Sequence, residues 1–264
     1  MTAEVSSTRF TTTDGIQLHV FEAGSQHAGP VIALVTGWSM PAAIWRAQLA
    51  GLGATRRVAA LDPRGQGESE VPSGGYDIDR RADDLREFVA RYPRVVLVAW
   101  SLGALEALHY VHRHGAAALE ALVLIDSSVG EDPPPAPGGS FQDALKEDRR
   151  AALEAFVRDM FRTPRPAAEL AALTDSALRM PLEASLSLFP RAYPREHWRN
   201  LAREFPRPLL YVVTPQFAEQ ANALQRHRPA TRISVFEEAG HALFADEPNR
   251  FNRLLAEFVS ELAE

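Results

Sequence analysis

Short, uninterrupted apolar runs recur along the chain and are its most regular feature. Seven of them have the length of a buried strand: residues 16–21, 31–35, 57–61, 95–99, 121–125, 208–213 and 232–236. A strand that is apolar at nearly every position, rather than at alternate ones, is typical of a parallel sheet buried on both faces. We therefore expect a mostly parallel sheet with helices on either side.

Helical periodicity fills most of the intervals between these runs. Over residues 77–91, apolar side chains recur three or four positions apart, and Asp77 stands where an N-cap is expected. Residues 101–113 and 247–263 show the same helical spacing. The alternation of strand and helix favours the α/β class.

The alternation stops after the run at 121–125. Residues 131–140, EDPPPAPGGS, are too rich in Pro and Gly for regular structure. A long stretch with helical signals and no convincing strand follows, and residues 143–161 give its clearest helix. We predict a first core segment, an inserted helical cap and a second core segment, which are residues 1–129, 130–205 and 206–264.

Composition narrows the class of protein. The chain has 264 residues, a net charge of −6 and no cysteine. The absence of cysteine excludes disulfides and thiolate sites. The negative net charge is not typical of a protein that binds nucleic acid or an anionic membrane. It shows no signal-peptide pattern and no apolar run near the ~20 residues that span a bilayer. Phosphate loops, dinucleotide fingerprints and metal-ligand clusters are absent from the sequence. We expect a cytoplasmic protein with a small-molecule substrate, no cofactor and no metal.

A serine stands where one apolar run meets the following helix. Ser101 lies in the segment AWSLG, residues 99–103, and a turn this tight forces its central residue toward strained backbone angles. The helix that begins there directs free N–H groups and its positive dipole end at the serine. The segment approximates the nucleophile elbow G-x-S-x-G, with Ala99 in place of the first glycine. Ser101 is a candidate nucleophile, and a helix N-cap is the structural alternative.

Four motifs in order resemble the α/β-hydrolase superfamily over essentially the whole chain. Residues 36–38 read TGW, residues 61–69 read LDPRGQGES, the serine turn follows, and residues 239–248 read AGHALFADEP. The resemblance implies an eight-stranded, mostly parallel sheet flanked by helices, with a helical cap inserted after strand 6. Thr36 departs from the histidine that the superfamily often has at this position.

The resemblance also implies roles for particular residues. His241, in a loop after a strand and a glycine, takes the position of the general base that activates a serine. The backbone N–H groups of Trp38 and Leu102 take the positions of the oxyanion donors. We further expect the side chains of Trp38 and Trp100 to wall a substrate pocket.

The acid of the triad is missing from its usual place. Most relatives carry it after the strand that here is 208–213, but Thr214 and its successors offer no carboxylate before Glu219. The superfamily also uses the end of the preceding strand, where Asp126 stands, at the edge where sites form in open α/β sheets. We predict that Asp126 orients the general base, although it could instead cap the next segment. Glu106 and Glu219 are further candidates, and Glu106 falls where the helical pattern predicts an apolar residue.

These residues predict a serine hydrolase with a Ser-His-Asp triad and an acyl-enzyme, and the apolar cap favours a small apolar or aromatic ester. Two alternatives remain open. Cofactor-free dioxygenases of this fold carry a carboxylate after the same strand and use a His–Asp pair, but histidines flank their serine where this chain has Trp100 and Leu102. Thr36, Ala99 and the displaced acid also fit a catalytically inert, ligand-binding member.

Overall fold

The computed structural model describes residues 3–135, 141–189 and 193–262. In these ranges eight strands form one sheet, in the order β1-β2-β4-β3-β5-β6-β7-β8. The strands are β1 Val5–Thr11, β2 Gln17–Ala23, β3 Val31–Val35, β4 Val58–Asp62, β5 Val95–Trp100, β6 Leu119–Ile125, β7 Leu209–Val213 and β8 Arg232–Val235.

The sheet is mostly parallel, which confirms the predicted fold class. Strands β3 to β8 run in one direction, and β2 is antiparallel to both of its neighbours. Each of the seven apolar runs is a strand. β1 was not predicted, because its sequence VSSTRFT is largely polar and it lies exposed at the edge of the sheet.

Helices cover both faces of the sheet. They are α1 Arg46–Leu52, α2 Ile78–Val89, α3 Leu102–His114, α4 Phe141–Glu147, α5 Arg149–Asp159, α6 Ala167–Leu178, α7 Leu182–Ser187, α8 Arg195–Glu204, α9 Ala218–His227, α10 Leu243–Asp246 and α11 Pro248–Glu261. The predicted N-cap of α2 is confirmed, since the Asp77 side chain accepts a hydrogen bond from Arg80 N at 2.9 Å.

The helix predicted over residues 143–161 is wrong in its continuity. The chain forms α4 and α5 instead, because Asp148 leaves the helical conformation at φ −142° and ψ 92°. Its side chain then accepts from Ala151 N at 3.0 Å. Asp148 is therefore the N-cap that starts the second helix.

Alternation along the central strand builds the two core layers. Val95, Leu97 and Ala99 of β5 pack with α2, α3, α8 and α9. Val96, Val98 and Trp100 pack on the opposite face with α1, α11 and the inserted helices. Because both faces are buried, every position of β5 is apolar.

The insertion between β6 and β7 holds five helices in the described part of the chain, α4 to α8. The fifth, α8, packs against α3 and contributes Trp198 and Ala202 to a sheet-covering layer. Helices α4 to α7 lie on the side of the carboxyl ends of the strands, and Phe141 and Phe156 face a cavity there. The cap and its boundaries stay a prediction. None of the described helices is both long enough and apolar enough to cross a bilayer.

Candidate active site

Ser101 occupies the turn between β5 and α3. Its backbone has φ 57° and ψ −122°, a conformation that a residue with a Cβ rarely adopts. Ser101 N donates to Ile125 O at 2.9 Å, and Ala104 N donates to Ser101 O at 3.0 Å. The side chain therefore stands on a strained turn at the start of α3, where the first N–H groups have no partners within the helix.

Two glycines let the loop after β3 approach this turn. A Cβ at Gly103 would lie 2.6 Å from Thr36 O, and one at Gly37 would lie 2.9 Å from Ser101 Cβ. Side chains are excluded at both positions unless the backbone moves. Ala99, in contrast, fits as a fully buried residue of β5. The turn thus forms without the first glycine of the elbow motif but needs the second.

His241 lies in the loop between β8 and α10. Its Nε2 is 2.9 Å from Ser101 Oγ, and its Nδ1 is 2.8 Å from Asp126 Oδ2. The indole N–H of Trp100 donates to His241 O at 2.9 Å, and the two rings are 5.1 Å apart. Trp100 therefore supports the loop that presents the imidazole.

Asp126 follows β6 at φ 43° and is almost completely buried. Its Oδ1 accepts hydrogen bonds from Thr214 N at 2.7 Å and from Thr214 Oγ1 at 2.8 Å, and its Oδ2 faces His241. Because β6 and β7 are parallel neighbours, Asp126 and Thr214 meet at the carboxyl ends of the two strands. The carboxylate is thus held on both oxygens.

The three side chains form a continuous hydrogen-bonded chain. A carboxylate can only accept, so the His241 proton lies on Nδ1, and Nε2 is left to accept from the Ser101 hydroxyl. An imidazole in this position can take the hydroxyl proton as the oxygen attacks a carbonyl carbon. The structure brings together the three side chains that the sequence singled out.

Tyr211, on β7, lies behind the carboxylate. Its hydroxyl donates to Ser127 O at 2.5 Å. Burial raises the pKa of Tyr211 well above its ordinary value, and the negative charges of Asp126 and Glu131 add to this effect. The hydroxyl therefore remains a proton donor that fixes the backbone next to Asp126.

A buried polar network holds the loop that carries Trp38. The Gln66 amide N–H₂ donates to three groups of this loop, which are Thr36 Oγ1 (3.1 Å), Gly37 O (3.0 Å) and Met40 O (2.8 Å). Gln66 Oε1 in turn accepts from Arg81 Nη2 at 3.1 Å. Thr36 thus enters this network as an acceptor.

Arg81 also accounts for Glu106, whose place on an apolar helix the sequence did not explain. The guanidinium donates to both Glu106 oxygens, at 2.8 and 3.1 Å. Burial raises the pKa of Glu106, and Arg81 opposes that shift. Glu219 is exposed on α9. Of the three carboxylates considered for the triad, Asp126 is the one hydrogen-bonded to His241.

A cavity of about 270 Å³ opens beside Ser101. Its apolar walls come from the core and from the inserted helices: Trp38, Leu102, Leu105, Phe141, Phe156, Phe189 and Phe217. The Trp38 indole stacks on Phe189 with centroids 5.4 Å apart and donates to Ser185 O at 2.6 Å. Trp38 therefore lies on the cavity wall, as expected.

Trp100 is not among the described residues that line this cavity, so its place in the wall of a substrate pocket stays a prediction. Side chains alternate along β5, and Trp100 points into a core layer, where it is 1% exposed. Its ring packs edge-on against Phe244, with centroids 5.1 Å apart. The sequence placed Trp100 next to Ser101 but could not show which face it occupies.

Ionisable groups are sparse around the cavity. Among the described lining residues, only Asp126 and His241 carry ionisable side chains, and Ser101, Ser127 and Ser128 add hydroxyls. Across the described ranges, no group of three or more His, Asp or Glu side chains is arranged to bind a metal ion.

Asp246, in α10, joins the His241 loop to the inserted helices. Its carboxylate accepts from Gly240 N at 2.8 Å, Arg162 N at 2.9 Å, Thr163 N at 3.1 Å and Thr163 Oγ1 at 2.5 Å. Burial alone would raise the pKa of Asp246, but these donors outweigh burial and lower it. Sequence reasoning missed this residue, because Arg162 and Thr163 lie more than 80 positions away from it in the chain.

A second Ser-His-Asp arrangement lies at the other end of the sheet. Ser7 Oγ is 2.7 Å from His19 Nε2, and His19 Nδ1 is 2.7 Å from Asp62 Oδ2. Asp62 also accepts from Ala42 N at 2.5 Å and from Glu68 N at 2.9 Å. Ser7 lies within a regular strand, and Asp62 organises the loops around it.

The sheet order, the strained serine turn and the hydrogen-bonded side chains define an α/β protein with a serine at a tight strand-to-helix turn. Residues 32–254 match the alpha/beta hydrolase family, and the chain belongs to that family.

Individual relatives span nearly the whole chain. It is 28% identical to non-heme chloroperoxidase CPO-A1 of Kitasatospora aureofaciens, over 95% of this chain and 98% of that protein. It is 27% identical to the pimeloyl-[acyl-carrier protein] methyl ester esterase of Vibrio atlanticus, over 88% and 95% of the two chains. The esterase EaEST of Exiguobacterium antarcticum superposes with a TM-score of 0.82 at 22% identity, over 96% and 99%.

Proposed function

We propose that this protein is a serine hydrolase that cleaves a small, neutral ester with an aromatic or apolar group. The chain acts on ester bonds through Ser101 as nucleophile, His241 as general base and Asp126 as the acid that orients it. The observation that carries the proposal is the continuous hydrogen-bonded chain from Asp126 to Ser101, which ends at the apolar cavity.

The reaction proceeds in two steps. His241 Nε2 takes the Ser101 proton as Oγ attacks the ester carbonyl, and then returns that proton to the departing alcohol. Water attacks the acyl-enzyme by the same path and releases the acid. Asp126 keeps the proton on Nδ1 and stabilises the imidazolium that forms in each step.

The oxyanion donors are the backbone N–H groups of Trp38 and Leu102. Leu102 N lies at the start of α3, where helix N–H groups point outward. Gly37 brings the Trp38 loop against Ser101, and Gln66 fixes that loop. Donors held rigidly in this way stabilise the charge that develops on the carbonyl oxygen.

The cavity sets the size and charge of the substrate. An apolar cavity of about 150 Å³ holds one benzene ring, so the volume of about 270 Å³ here suits a single ring with a short ester arm. No Lys or Arg is among the described residues that line it. A carboxylate on the substrate would therefore be buried without a partner, at considerable cost.

The relatives support a reaction on ester bonds, but they do not indicate the substrate of this chain. The Vibrio atlanticus relative is a methyl ester esterase, and the Exiguobacterium antarcticum structure is that of an esterase. The substrate inferred here rests on the cavity of this chain instead.

The proposal is tested with a panel of aryl esters on the purified protein. Phenyl acetate, 4-carboxyphenyl acetate and phenyl decanoate share a leaving-group ring but differ in charge and acyl length. We expect kcat/KM to be highest for phenyl acetate and at least about tenfold lower for the other two. Equal rates on all three would contradict the proposed specificity, and oxygen uptake with a hydroxyquinolone in place of ester cleavage would contradict the hydrolase.

A further inference from the structure

Thr214 stands at the end of β7 and contacts the triad through Asp126. It lies outside the strand, is buried to 6% exposure, and is not among the described residues that line the cavity. Its contacts with the site run through one carboxylate oxygen, Asp126 Oδ1. We propose that the Thr214 hydroxyl is a positioning group that sets the orientation of the triad acid, an inference that rests on the proposed function.

The argument begins with the burial of Asp126. A buried carboxylate is stable only when its oxygens accept hydrogen bonds. Oδ2 has the His241 Nδ1–H as its donor, at 2.8 Å. Oδ1 has Thr214, which supplies a backbone N–H at 2.7 Å and a hydroxyl at 2.8 Å. One residue thus supplies both donors to the oxygen that does not touch the base.

Two donors on Oδ1 fix the plane of the carboxylate. If the backbone N–H were the only donor to Oδ1, the carboxylate could still rotate about its Cβ–Cγ bond, because the χ2 torsion of Asp has a broad energy minimum. The hydroxyl adds a second direction and restricts the rotation. Oδ2 is then kept in line with His241 Nδ1, which an acid that orients an imidazole requires.

The backbone around Asp126 is consistent with a site built for this contact. Asp126 adopts φ 43°, an uncommon conformation for a residue with a Cβ. Its own N–H donates to Val212 O at 2.9 Å, on the strand that directly precedes Thr214. Backbone and side chain of Asp126 are therefore both tied to the end of β7.

Thr214→Val and Thr214→Ser form a matched pair for the test. Valine keeps the shape and the backbone N–H but removes the hydroxyl, and serine keeps the hydroxyl but removes the methyl group. With phenyl acetate, we expect Thr214→Val to lower kcat about tenfold with KM unchanged, and Thr214→Ser to stay within about threefold of wild type. Wild-type kcat in Thr214→Val, or equal losses in both variants, would overturn the proposal.

A double-mutant cycle tests whether the Thr214 hydroxyl acts through Asp126. If the hydroxyl acts through Asp126, Thr214→Val has no further effect on the rate of fluorophosphonate labelling once Asp126→Ala is present. Additive losses would show that Thr214 acts elsewhere and would overturn the positioning role. Labelling of Ser101→Ala as fast as wild type would instead overturn the proposed function itself, so the two failures are distinguishable.

Discussion

Two hydrogen-bonded chains of Ser, His and Asp side chains, with nearly the same hydrogen-bond lengths, lie in the described part of this molecule. In the elbow chain, Ser101-His241-Asp126, the two distances are 2.9 and 2.8 Å. In the edge chain, Ser7-His19-Asp62, both are 2.7 Å. Distance therefore does not separate a candidate triad from a structural cluster.

The surroundings separate them. Ser101 is on a strained turn at a helix start and faces an apolar cavity, whereas Ser7 sits in a regular edge strand with ordinary backbone angles. The imidazole differs as well: His241 is 27% exposed and His19 is fully buried. A reactive serine needs an accessible base and oxyanion donors, which the proposed function assigns to the elbow chain.

The largest expected effect comes from removing each serine hydroxyl. Ser101→Ala should lose ester hydrolysis by about 10⁴-fold or more and should form no fluorophosphonate adduct by intact mass. Ser7→Ala is the matched control and should keep the adduct and wild-type kcat. An adduct that maps to Ser7 would erase the distinction between the two chains.

Removing each carboxylate charge should lower kcat to different extents. Asp126→Asn should lower kcat by about 10³–10⁴-fold, because an amide can stabilise the wrong imidazole tautomer. Asp62→Asn should lower the free energy of unfolding by about 3 kcal/mol, because the Asp62 carboxylate binds His19 and two loop N–H groups in the core. Urea denaturation and kcat, measured on both variants, check the contrast. A kcat in Asp62→Asn as low as that in Asp126→Asn would reverse it.

The smallest effect concerns acid stability near the elbow chain. Because the pKa of Asp246 is lowered in the folded state, its contribution is complete above the unfolded pKa near 3.8 and is lost as the pH falls through that value toward the folded one. Asp246→Asn should be less stable than wild type by about 1–2 kcal/mol at pH 6, and the gap should narrow by pH 3. Urea midpoints at the two pH values test this, and a constant gap would argue against it.

The sequence predicted the interior of the sheet better than its edge. The runs that became β3 to β7 are apolar at nearly every position because helices cover both faces. β1 carries Ser and Thr at most positions because it is exposed, and a polar edge strand has no signal of its own. The break at Asp148 was missed for a similar reason, since an N-cap inside an amphipathic pattern looks like one more polar position.

The site was predictable where a motif or a strand end marks it, as for Ser101, His241 and Asp126. Contacts between distant positions were not. Glu106 falls at an apolar position of its helix, and its partner Arg81 could not be predicted from the sequence. Thr214 stands where relatives usually carry the acid, and it donates a hydrogen bond to Asp126, 88 positions earlier. Periodicity predicts which face of a helix or strand is buried, but it does not predict which distant residue a side chain contacts.

The Asp246 carboxylate has a consequence for how this protein can be recombined. It binds both the loop that carries His241 and the chain at Arg162 and Thr163. A foreign segment grafted between β6 and β7 would therefore have to supply its own pair of N–H groups to that carboxylate. Without them, the loop that carries His241 would lose its link to the inserted segment. Exchange should be tolerated more readily upstream, around α4, than at the end of α5.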